Sequence, residues 1–179
     1  SGDEEYVVFY DDEEKLDPSY VDHVNVFDKY YFFEPISGIS VEGDYYEIRE
    51  DNDIVYGVGQ KGMVLNRYLS QIAIKMKPGT KKFDMLQTDL LASFCFSYQD
   101  GPKDSDEVAS DQELIGKEVL VDGNLMVQFR ISSKSKNDAL YTSNVYTYYY
   151  QPGEDKRISV QVYHEIKEEV KVSGIKNVD

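Results

Sequence analysis

The chain is poor in soft ligands. Its 179 residues hold one cysteine, Cys95, two histidines, His23 and His164, and no tryptophan. A single cysteine excludes an internal disulfide and a cysteine-rich zinc site, since zinc wants three or four converging ligands. Long apolar runs are missing too: none approaches the length of a membrane span. No signal-peptide pattern is present. The chain opens Ser1-Gly2, which reads as an expression remnant, with residues 1–5 expected to be disordered or foreign. The expectation is an extracytoplasmic protein, anchored or secreted, whose N-terminal leader has been removed.

Positive charge is also scarce. Asp and Glu number 34 against 19 Lys and Arg, a net charge of −15. Phosphate backbones and anionic membrane surfaces would be repelled, so neither is an expected partner. A basic protein or a cation is favoured instead. The excess is lopsided. Residues 1–53 carry 17 Asp/Glu against Lys15, Lys29 and Arg49, whereas residues 54–179 are close to neutral. Such a run either keeps the protein soluble or steers a basic partner toward it.

What is present is strand-forming material. Tyrosines number 16 and phenylalanines 8, enough to build a core in a single domain of this length. Apolar residues alternate with polar ones over 119–131, where Asp122-Gly123-Asn124 marks a hairpin. A second hairpin spans 144–166 around Gln151-Pro152-Gly153-Glu154-Asp155. A third turns at Pro78-Gly79-Thr80, with Ile72–Met76 before it and Phe94–Tyr98 as the further strand. Shorter strands are expected at 6–10, 24–33, 45–49 and 54–58. Helical spacing is confined to 63–71 and one turn near 85–90. Residues 99–113 read as a long surface loop. The sum is a mainly β single domain, 1–179: an antiparallel sandwich or strongly curved sheet of eight to ten strands, with at most two short helices.

Gly57-Val58-Gly59-Gln60-Lys61-Gly62-Met63-Val64 resembles the glycine-rich loop of protein kinases. Ile72-Ala73-Ile74-Lys75 is similar to the kinase strand whose lysine pairs with ATP phosphates. The resemblance covers about twenty residues. No His-Arg-Asp loop and no Asp-Phe-Gly follow, so the metal-holding and base residues of phosphoryl transfer are missing. The glycines are read as serving a turn or bulge between strands.

The remaining candidates carry less chemistry. His164 shares strand parity with Ile158, Val160, Val162 and Ile166, which suits a core or rim position; His23 sits beside Asp22. Cys95 between Phe94 and Phe96 reads as a strand residue. The acidic groups Glu50-Asp51-Asn52-Asp53 and Asp100, Asp104 and Asp106 have calcium-type oxygens but not the EF-hand spacing. No catalytic residue, resident metal or cofactor is assigned.

The leading expectation is a non-enzymatic protein-binding domain, in its most specific form an acidic inhibitor or immunity-type protein that neutralises a toxin or enzyme. Its expected partner surface draws on Tyr30, Tyr31, Glu42, Asp44, Tyr45, Glu50, Asp51 and Asp53, together with Tyr146, Tyr148 and Tyr150 on one strand face. Tyrosine gives large contact area at low entropic cost. The alternative is a lipoprotein-like or adhesin-like β-domain that binds carbohydrate or a small ligand, with calcium loops as an option.

Overall fold

A computed structural model describes residues 21–36, 39–60, 71–94, 113–135 and 137–168. Nine strands make two antiparallel sheets. The first sheet runs β1 (Val24–Ile36), β2 (Ile39–Glu50), β3 (Asp53–Gln60), β4 (Gln71–Met76) and β5 (Thr88–Ser93). The second runs β6 (Glu113–Gly123), β7 (Met126–Lys134), β8 (Leu140–Tyr149) and β9 (Ile158–Ile166). Spatial order equals chain order in both, so each sheet is a simple meander. The fold is mainly β, as the alternation of the sequence implies.

The sheets pack face to face over one core. Val24, Tyr46, Ile48, Val55, Tyr56, Val58 and Ala73 come from the first sheet, and Val127, Phe129, Ile131, Tyr146 and Tyr148 from the second. The period-2 pattern of β7 and β8 is what buries one face: Val127, Phe129 and Ile131 are inaccessible while Gln128, Arg130 and Ser132 point outward. A polar knot crosses the core at one end. Gln71 Nε2 donates to Ser133 Oγ at 2.9 Å, and Gln71 Oε1 accepts from Asn144 Nδ2 at 2.8 Å and Tyr146 OH at 3.1 Å. At the edge, Lys117 from β6 reaches Asp28 on β1 at 2.6 Å.

The first sheet also buries part of its other face. Tyr45, Ile54, Ile72, Ile74 and Met76 cluster there with Phe83. Phe83 lies in the connection between β4 and β5, which turns at Pro78-Gly79. Gly79 has φ of +79° and Thr80 N–H bonds back to Lys77 O at 3.3 Å, the type II arrangement that needs glycine at its third position.

Several expectations need correction. The strand that returns from this turn begins earlier than expected: β4 pairs with Thr88–Ser93, Phe94 N–H donates to Gln71 O at 3.0 Å, and residues 95–98 lie outside the described residues. Residues 85–87 do form a helical turn, but of 3-10 type. Gly57 and Gly59 lie inside β3, not at a turn or bulge. They face Glu47 and Tyr45 on one side and Ile74 and Ile72 on the other, so they leave room in rows that already carry large side chains. The β6–β7 turn is centred two residues later than Asp122-Gly123, at Asn124-Leu125. The expected strand at 6–10, the helix at 63–71 except for Gln71 (which begins β4), Cys95 and the loop at 99–113 fall outside the described residues, except that Glu113 opens β6.

Candidate functional site

The β1–β2 hairpin is the longest feature of the first sheet. β2 pairs with β3 only from Tyr45 onward, whereas β1 and β2 continue to pair through Phe33 and Val41. Among the described residues the far half of the hairpin is therefore a two-stranded ribbon. It extends by four paired residues, roughly 13 Å at strand rise, before the register shifts and pairing resumes at Ile36 and Ile39. On β1 this stretch begins with the aromatic residues Tyr30 to Phe33. Tyr30 is 60% exposed and Phe32 59%. Tyr30 lies directly opposite Asp44, which is exposed, and Asp28 is two residues before it. Aromatic rings and carboxylates thus share one element, in the acidic third of the chain.

The other residues of the expected partner surface are distributed by the fold. Tyr31 packs edge-on against Phe83, with ring centroids 5.1 Å apart. Tyr45 is buried beside the same ring, and its hydroxyl donates to Glu47 Oε2 at 3.2 Å. Burial and the Glu47 carboxylate push its phenol well above the ordinary tyrosine range. Glu42 pairs with Phe32 through the backbone. Tyr146 and Tyr148 do share a strand face, but it is the face that fills the core: both are fully buried. They cannot present a partner surface. The reason is that tyrosine suits a core as well as an interface when its hydroxyl finds a polar partner inside.

Glu50, Asp51 and Asp53 surround a turn, and each goes a different way. Asp51 and Asn52 have φ of +49° and +73°, the signature of a two-residue type I′ hairpin loop. Asp and Asn tolerate that region better than other non-glycine residues, which accounts for their presence here. Asp51 accepts from His23 Nδ1 at 2.7 Å, and the imidazole stacks on Tyr150 at 4.3 Å. Asp53 pairs with Lys81. Glu50 is buried and bound by Tyr148 OH at 2.6 Å, Gln151 N–H at 2.9 Å and the Lys156 ammonium. These carboxylates diverge toward separate partners instead of converging on one point. Among the described residues no group of three or more His, Cys, Asp or Glu could hold a metal ion. Glu50 is thus a clasp between the sheets, not a surface group.

His164 stands on β9, exposed, with Nδ1 3.0 Å from Thr142 Oγ1. Lys75, the lysine of the kinase-like strand, faces Asp89 at 3.8 Å. Among the described residues, neither neighbours a cluster that could perform acid–base chemistry. Sequence reading missed a second surface, the outer face of β6–β9. There Glu118, Arg130, Ser132, Ser143, Val145, Gln161 and Tyr163 line an open hollow of about 440 Å³. The outward positions of these strands were legible from the alternation, but the hollow depends on which side chains fall side by side across strands.

Compared with known proteins, the chain matches no family model, no curated protein and no solved structure. No helix among the described residues is long and apolar enough to cross a membrane.

Proposed function

We propose that the protein is a non-enzymatic protein-binding domain whose contact element is the β1–β2 ribbon. The observation that carries this reading is the exposure of Tyr30 and Phe32 beside Asp44 on a hairpin that, among the described residues, outruns its sheet. Exposed aromatic residues flanked by charge are the composition of interface centres, where aromatics supply affinity and carboxylates supply steering. In a chain of net charge −15 the complementary partner is basic. Its most specific form is an inhibitor or immunity-type protein, with the ribbon inserted into a basic cleft of a toxin or enzyme.

The test is affinity capture from the source organism with the wild-type domain and a Tyr30→Ala/Phe32→Ala double variant. A partner retained by the wild type at low salt, released as salt rises and not retained by the variant supports the reading. A partner retained equally by both would reject the ribbon as the contact element.

A further inference from the structure

The outer face of the second sheet carries a hollow unrelated to the ribbon. Its shape follows from register. One cross-strand row is Glu118–Arg130–Val145–Gln161, and the next has Ser132, Ser143 and Tyr163 side by side. The central positions hold short side chains, Ser132, Ser143 and Val145, while the flanks hold long ones, Glu118 with Arg130 on one side and Gln161 with Tyr163 on the other. Short residues between tall ones leave a trough of about 440 Å³, within the range of small-ligand sites.

Its chemistry is selective. Arg130 is neutralised by Glu118 at 2.6 Å. Beyond the hollow on the same sheet, Lys134 pairs with Asp138 and Lys167 with Glu165, both at 2.6 Å. The face thus balances its own charge in a strongly acidic protein, which removes the attraction for an ionic ligand. Tyr163 is 59% exposed and offers a ring face at the wall. Serine hydroxyls, the Gln161 amide and the Arg130–Glu118 pair supply donors and acceptors together. An extended peptide adds to a sheet at an edge, through backbone groups. The backbones of β7 and β8 are already paired on both sides here. What suits the trough is a neutral ligand with a C–H face for the ring and hydroxyls that both donate and accept.

We infer that this hollow is a binding site for neutral carbohydrate, with Tyr163 as the stacking platform and Gln161, Arg130, Glu118 and the two serines as hydroxyl partners. The inference does not rest on the ribbon reading. An open trough buries little of its ligand, so binding is weak and is best read by chemical-shift mapping.

The experiment titrates the ¹⁵N-labelled domain with cellohexaose, maltohexaose, xylohexaose and chitohexaose, each to about 10 mM, where a millimolar site would be largely filled. At least one should shift resonances of β7, β8 and β9 around Ser132, Ser143, Val145, Gln161 and Tyr163. Tyr163→Ala should weaken that binding by at least about tenfold, Tyr163→Phe should keep most of it, and Tyr30→Ala should leave it unchanged. Because Tyr163 is exposed, these variants fold. The inference is overturned if no sugar shifts those resonances, if binding survives Tyr163→Ala, or if charged hexagalacturonate binds more tightly than every neutral sugar.

Discussion

Glu50 shows how a charged residue from the acidic third becomes part of the fold. Its carboxylate is 4% exposed and takes three donors, two of them from the loop after β8. Replacing it by Gln leaves the Lys156 ammonium without its counter-ion, and we expect a loss of about 2–4 kcal/mol in urea unfolding. A change within about 0.5 kcal/mol would mean the pair is as weak as an exposed one. Tyr148 and Tyr45 respond to pH in the opposite sense from a paired carboxylate. Burial first, then the neighbouring Glu50 or Glu47, raises each phenol far above its ordinary value. The folded chain therefore keeps two protons that the unfolded chain gives up near pH 10, and stability falls as pH rises through that point. In an alkaline absorbance titration, these two tyrosines should ionise only together with unfolding. Their smooth titration in a still-folded protein would contradict the burial.

At the scale of elements, turns and strands were legible to different degrees. The alternation of Val127, Phe129 and Ile131 against Gln128 and Arg130 gives β7 with its buried face, because side chains on a strand can only alternate. The same alternation places Tyr146 and Tyr148 together without saying whether their face is wet or dry, and that was decided by the opposing sheet. The acidic run at 50–53 was read as surface charge, yet its residue types are also those that a tight turn selects. That second cause predicts a sign. Asn52→Gly should stabilise the domain by a few tenths to about 1 kcal/mol, since glycine takes φ > 0 freely. Asn52→Val should cost about 1–2 kcal/mol. Equal thermal midpoints for the two variants would remove the type I′ turn from the account.

For the whole molecule, the two meanders are joined by contacts that sequence periodicity cannot reveal, since they link residues far apart in the chain, such as Phe94 and Asn144. Gln71 is central to them: one side chain serves Ser133, Asn144 and Tyr146. A Gln71→Leu variant strands those partners in the core and should lower stability by about 2–4 kcal/mol. If it instead raises the unfolding midpoint, the knot is tolerated polarity and not a tie. Charge is organised at this scale as well. The ribbon lies in the third of the chain that carries nearly all the excess negative charge, while the outer face of the second sheet balances its own. The fold thus separates an acidic aromatic surface from a neutral polar one. The proposed function assigns a protein partner to the acidic aromatic surface. It is tested most directly by the affinity of a captured partner for the wild type, for Phe32→Ala and for Asp44→Lys, measured at low and high salt. Each variant should lose at least about tenfold in affinity, and wild-type binding should weaken markedly as salt rises. Affinities unchanged by both substitutions and by salt would contradict it.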